Sequence, residues 1–140
     1  MEYGVNFDEV FSPVVKISTL WFLLRVVAAE NLELLQLDVK TAFFHGDLDE
    51  EIYMEQPQGF ASTGQEHLVC RLRKSLYGLK QAPRQWYWKF DDFVQSIGFL
   101  RSDEDHCLYS KDAPDGSPIF LILYVDDMLR HSGELAELRW

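Results

Sequence analysis

The chain has 140 residues, a formal net charge of −10, and 47% hydrophobic and 14% aromatic content. That length fits one domain with a real core, and that apolar content excludes a disordered segment. The two cysteines, Cys70 and Cys107, stand far apart without a CxxC partner, which argues against a disulfide framework or a zinc site and reads as free thiols in a reducing compartment.

The N-terminal stretch MEYGVNFDE is acidic and lacks an apolar h-region, so no signal peptide is expected. The longest apolar region, Ile17 to Ala29, is too short to span a bilayer and carries Arg25. The expectation is a soluble intracellular protein with no membrane partner. Met1 to Val15 reads as a lead-in with a turn or helix start at Ser12-Pro13. From about Ser18 to Asn31 the positions Ile17, Leu20, Trp21, Leu24, Val27 and Ala28 follow the helical period, with Ser18 as a candidate N-cap.

Leu34 to Val39 reads as a short buried strand with Asp38 near its end. Ala42-Phe43-Phe44 then leads into a turn at His45-Gly46-Asp47. A brief strand over Ile52 to Met54 is stopped by Gln56-Pro57-Gln58-Gly59, and Leu68 to Leu72 alternates like an edge strand. Pro83 opens the clearest helix, with Trp86, Phe90, Phe93, Val94 and Ile97 at helical spacing and Gly98 as the C′ stop. Cys107 to Ser110 predicts a strand, and the loop from Asp112 to Pro118 turns the chain.

The stretch Ile119 to Leu129, IFLILYVDDML, predicts a buried strand and a tight hairpin with Asp126 and Asp127 at its tip, the second strand starting at Met128. His131 to Trp140 looks like the first turns of a helix. The order of elements over one domain, 1–140, is α+β: a small antiparallel sheet backed by helices on one face. On such a sheet Asp38, Asp126 and Asp127 can meet at one edge. Adjacent carboxylates repel unless a cation or basic group sits beside them; a solvated turn is the plainer alternative.

The net charge argues against a nucleic-acid partner, but its distribution does not. Cys70 to Phe90 holds six basic residues (Arg71, Arg73, Lys74, Lys80, Arg84, Lys89) and no acidic one, interleaved with Tyr77, Trp86, Tyr87 and Trp88. The acidic run Asp47, Asp49, Glu50, Glu51 and Glu55 is expected to stand opposite it. A chain segregated in this way presents one anion-binding face, or else a solvated helix face with ordinary Lys and Arg.

Five strings then occur in order: FSPVVK (11–16), QLDVKTAF (36–43), HGDLDEEIYMEQPQGF (45–60), SLYGLKQAPRQWY (75–87) and LYVDDML (123–129). On these the chain resembles the reverse transcriptase domain of copia-type retrotransposon polyproteins across nearly its whole length. The resemblance implies a polymerase palm with partial fingers and no thumb, and RNA-directed DNA polymerase activity. It implies Asp38, Asp126 and Asp127 as the catalytic carboxylates and ligands of two Mg²⁺ ions, with Asp127 the less direct. Val39, Lys40, Phe43, Tyr77, Gly78, Lys80 and Tyr124 fall on substrate-binding positions. Arg71, Arg73, Lys74, Arg84 and Lys89 fall on the nucleic-acid-binding segment.

The implied partners are an RNA or DNA template-primer, deoxynucleoside triphosphates and other polyprotein domains. Phe43 would exclude a ribose 2′-hydroxyl by clash, or is a core Phe. Backbone N–H groups of Val39 to Ala42 are expected to face the triphosphate, Gly78 to let the backbone approach the substrate, and Trp86 to be core. The cysteines and histidines carry no ligand spacing. Two departures from the family pattern stand out: Trp21 where a basic residue is usual, and Arg130 where an apolar strand residue is expected. The family's basic fingers segment, later palm elements, thumb and RNase H domain have no counterpart in these residues. The expectation is therefore a piece cut at both ends, inactive alone. The runner-up reading is a catalytically inactive relic that at most binds nucleic acid weakly.

Overall fold

Alternating apolar runs in the C-terminal half build the sheet that the other elements join. In the computed structural model, which describes residues 11–132, β5 (Leu108–Asp112), β6 (Pro118–Tyr124) and β7 (Asp127–Ser132) form an antiparallel meander. β1 (Glu33–Asp38) pairs with the outer edge of β7, and β4 (Leu100–Arg101) with the outer edge of β5, giving the order β1-β7-β6-β5-β4. β2 (Tyr53–Glu55) and β3 (Val69–Arg71) pair as a separate two-stranded ribbon. Two helices, α1 (Ile17–Ala29) and α2 (Ala82–Ser96), and a 3₁₀ turn, η1 (Ala42–His45), complete an α+β arrangement. None of the described helices is long and apolar enough to cross a membrane.

The core lies between α2 and one face of the sheet. α2 buries Trp86, Tyr87, Phe90 and Val94, against Tyr109 of β5, Ile119, Leu121 and Leu123 of β6 and Met128 of β7. Each fully buried side chain of this size is worth roughly 1.5–3 kcal/mol. α2 begins as its sequence dictates, with Pro83 in its first turn, and stops at Ile97 because Gly98 takes a left-handed φ of 92°. Buried Asp91 accepts bonds from the Tyr109 hydroxyl and the Arg101 guanidinium, both at 2.9 Å. Neither Asp91 nor the short strand β4 is foreseen by hydropathy, because a buried ion pair and a two-residue strand leave no periodic trace.

Several expectations are corrected. The expected apolar stripe of α1 is only half its buried face: Leu20, Leu24 and Val27 are partly buried around Leu23, the helix's buried residue, while Ile17, Trp21 and Ala28 are exposed. The helix is apolar nearly all round, so periodicity cannot select a side. Its N-cap is Lys16, not Ser18, because a distant carboxylate takes over the capping: Asp105 Oδ2 accepts the Lys16 N–H at 2.8 Å. β1 is an edge strand with mostly exposed side chains rather than a buried one. β7 starts at Asp127, one residue earlier than expected, and includes His131 and Ser132. The rest of the expected C-terminal helix start, 133–140, and residues 1–10 of the expected lead-in lie outside the described residues. Arg130 is buried as its position requires, and burial pushes its guanidinium pKa down.

Asp105 joins α1 to the start of β5, since its Oδ1 also accepts the Cys107 N–H at 3.0 Å. Burial alone would raise its pKa, but hydrogen bonds from Thr19, Lys16 and Cys107 outweigh it and hold the carboxyl below its ordinary value. A carboxyl depressed in the folded state adds stability above its unfolded pKa, about 3.9, and that gain is lost as pH falls through the lower folded value. Asp105→Asn is expected to cost about 1–3 kcal/mol at pH 7 and to flatten the acid limb of stability against pH. Urea unfolding of both proteins from pH 7 to pH 3 checks this; superimposable acid limbs would contradict it.

Candidate active site

The register of β1 on β7 decides where the carboxylates go. Asp38 lies directly opposite Asp127, which lies directly opposite Tyr124 of β6. Opposed residues of an antiparallel sheet share a face and neighbours along a strand alternate. The preceding row, Leu37, Met128 and Leu123, belongs to the core under α2. The row Asp38, Asp127, Tyr124 therefore lies on the opposite face, and Asp38 and Tyr124 are exposed. The pairing continues one step past the ladder, where the Val39 N–H donates to the Asp126 carbonyl at 3.1 Å. That step ties the end of β1 to the hairpin.

The hairpin turn itself is Val125-Asp126. Val125 has a φ of 57°, and Asp126 is not among the residues with positive φ, the pattern of a II′ turn, whose first position ordinarily takes Gly. A β-branched residue there costs on the order of 1–3 kcal/mol and persists only where its surroundings hold it. One restraint is explicit: the indole N–H of buried Trp86 donates to the Val125 carbonyl at 2.8 Å. Sequence periodicity finds Trp86 as core but not this bond; the only signal is that a buried indole N–H needs an acceptor.

η1 follows β1 and begins after Thr41, itself left-handed at φ 60°. Phe43 is nearly buried and its ring meets that of Tyr77 at 4.5 Å, with Phe44 against the same ring at 5.7 Å. Phe43 thus belongs to the core and also packs on Tyr77. Partial desolvation, then the charges of Asp126 and Asp38, raise the Tyr77 phenol pKa above its ordinary value. The N–H groups of Val39 and Ala42, expected to face a triphosphate, are already bonded, to the Asp126 and Val39 carbonyls. Gly78 has a φ of 95° and open space where a Cβ would stand, so left-handed backbone accounts for the glycine. Lys40 and Lys80 are exposed on the flanking turns.

The expected separation of basic and acidic segments is not what forms. Asp47 pairs with both Lys74 and Lys89, and Glu51 with Arg71 at 2.6 Å. Bonds from Lys74 and then Lys89 hold the Asp47 carboxyl below its ordinary value. The acidic run folds onto the basic segment because the β2–β3 ribbon brings Glu51 beside Arg71 and the turn after η1 brings Asp47 beside Lys74. Arg73 is exposed, and Arg84 lines a shallow cavity with Trp88, Arg101 and His106 whose lining holds none of the three carboxylates. Cys70 and Cys107 are free, and burial pushes the Cys107 thiol up to about 12. Among the described residues no three His, Cys, Asp or Glu side chains gather into a metal-holding group.

Asp38 and Asp127 in one cross-strand row, beside Asp126 of a tight Tyr-Val-Asp-Asp hairpin, define an acidic candidate site. The family model described as reverse transcriptase (RNA-dependent DNA polymerase) matches residues 2–139. The retrovirus-related Pol polyprotein from transposon TNT 1-94 of Nicotiana tabacum is 55% identical over 97% of this chain and 10% of its own length. That from transposon RE2 of Arabidopsis thaliana is 41% identical over 90% of this chain and 9% of its own. The chain belongs to the reverse transcriptase family of copia-type Pol polyproteins. It spans about a tenth of the length of these curated relatives, and no solved structure matches it significantly.

The turn after η1 is held against α2 through Gly46, whose conformation is ordinary (φ −67°, ψ 133°). A Cβ there would stand 2.9 Å from Gln85 Cβ and 3.1 Å from the Trp86 nitrogen. Gly46→Ala is expected to destabilise the fold by about 1–3 kcal/mol, because backbone must move to admit the methyl group. Chemical denaturation measures this; an unchanged midpoint would mean that turn and helix are not tightly packed.

Proposed function

We propose that this chain forms the palm, with part of the fingers, of an RNA-directed DNA polymerase of a copia-type retrotransposon. Asp38 and Asp126 are its principal metal-binding carboxylates and Asp127 the less direct third. The observation that carries this reading is the tie between the end of β1 and the carboxylate hairpin: Asp38 opposite Asp127, and Val39 bonded to Asp126. The donors are all carboxylate oxygens, the hard ligands that suit Mg²⁺, and Mg²⁺ sites commonly take one or two carboxylates with substrate phosphates completing the shell. Two such ions, when bound, would lower the pKa of a primer 3′-hydroxyl and neutralise a triphosphate and its pyrophosphate leaving group.

The chain's own residues do the positioning. The Phe43–Tyr77 ring pair beside the carboxylates offers a rigid wall for an incoming sugar, and Phe43 excludes a ribose 2′-hydroxyl by clash. Tyr124 shares the carboxylate row and contributes to the same face. Lys40 and Lys80 supply charge for the triphosphate, and Arg73 and Arg84 for template and primer phosphates. Lys74, Lys89 and Arg71 serve there only by exchanging their present carboxylate partners for phosphate. The partners are an RNA or DNA template-primer, deoxynucleoside triphosphates and the other segments of a Pol polyprotein.

The test is RNA-templated primer extension by the tobacco relative's Pol polyprotein in which residues 2–139 of this chain replace the matching segment. Extension that Asp126→Asn abolishes is expected. A folded, soluble chimaera that extends no primer would contradict the proposal.

A further inference from the structure

The Val125-Asp126 hairpin carries a conformation that its sequence does not favour, and two bonds reach it from other elements: the Val39 N–H to the Asp126 carbonyl and the Trp86 indole N–H to the Val125 carbonyl. In a two-residue hairpin the ladder bonds join the flanking residues, here Tyr124 and Asp127, and the turn's own carbonyls have no partner within the hairpin; that of Asp126 is taken by the end of β1. The Val125 carbonyl nevertheless ends on a donor inside the fold, the indole N–H of Trp86 at 2.8 Å. Trp86 is 2% exposed and held by Phe90 and His45, ring centroids 5.8 and 6.1 Å away. The backbone of η1 and its following turn presses on α2 at Gln85 and Trp86 through Gly46. The donor is thus rigid, and its acceptor is the peptide group between Val125 and Asp126.

That peptide decides the turn type. Turning it over changes the dihedral angles on both sides of it, the Val125 ψ and the Asp126 φ, and so the direction in which the Asp126 side chain leaves the hairpin. A donor that engages the carbonyl in one orientation selects that orientation.

We propose that Trp86 is a positioning residue: its indole N–H locks the Val125–Asp126 peptide and thereby holds the Asp126 carboxylate beside Asp38. The inference rests on the reading of these carboxylates as a Mg²⁺ site and adds a residue outside it that sets its geometry. Partners that orient metal ligands commonly change affinity by about 10- to 100-fold when removed. A side chain that merely fills core volume has no such effect on a metal midpoint. α2 also carries Arg84 and Lys89, so the helix that bears charge for nucleic acid is the one that fixes the hairpin.

The experiment is a Mg²⁺ titration of the full chain, followed by the backbone amide resonances of Asp126 and Asp127. It compares wild type, Asp126→Asn, Trp86→Phe, and Val94→Ala as a core control on the same helix. Incorporation of benzothienylalanine at position 86 keeps the indole's shape without its N–H and carries the comparison should Trp86→Phe fail to fold. A wild-type response that Asp126→Asn removes is expected. The Mg²⁺ midpoint should rise about tenfold or more in the proteins lacking the indole N–H and stay unchanged in Val94→Ala, even where thermal midpoints fall equally. A wild-type response absent or independent of Asp126 would overturn the metal reading and this inference with it. An Asp126-dependent response with equal midpoints in wild type and the proteins lacking the N–H would overturn the role of Trp86 alone.

Discussion

The site depends on the pairing of β1 with β7. Six residue pairs set that register, ending with Asp38 opposite Asp127. A slip of one residue would send every β1 side chain to the other face: Asp38 would turn toward the core beside Met128, and Leu37 would enter the carboxylate row. The apolar row Leu37, Met128, Leu123 forbids the slip, because Met128 and Leu123 are buried under α2 and Leu37 packs on them. Burial on one face of the sheet thus specifies the acidic row on the other. β1 needs no burial of its own for this, which is why an edge strand with largely exposed side chains can hold Asp38 in register.

A second constraint acts from behind the sheet. α2 is the most completely buried helix among the described residues, and it touches the site at two points: Gly46 after η1 and the Val125 carbonyl of the hairpin. β1, η1, α2, the hairpin and β7 form a closed circuit of contacts, so the positions of Asp38 and Asp126 are fixed along two independent routes. The strained φ of Val125 fits this picture, since a residue stays in a disfavoured region only where its surroundings leave no alternative.

Much of this was legible in the chain. β5, β6 and α2 announce themselves by apolar period, Pro83 and Gly98 by position, and the five family strings by order. What was not legible has physical causes. α1 is apolar on every side, so only the fold could choose Leu23 over Trp21. The cap at Lys16 comes from Asp105, 89 residues away. Charge segregation along the chain predicted segregation in space, yet the acidic run lies within reach of Arg71, Lys74 and Lys89 once the β2–β3 ribbon forms. The hydrogen bond of Trp86 is invisible to hydropathy because the same residue is also good core.

The central claim is that the end of β1 and the hairpin make one metal site from separate strands. Electron paramagnetic resonance of Mn²⁺, standing in for Mg²⁺, counts free against bound ion directly. Wild-type chain should bind Mn²⁺, and Asp38→Asn and Asp126→Asn should each weaken binding by about tenfold or more, the two effects failing to add in the double variant. Binding unaffected by Asp38→Asn would contradict the account, since it would leave the hairpin carboxylates acting without β1.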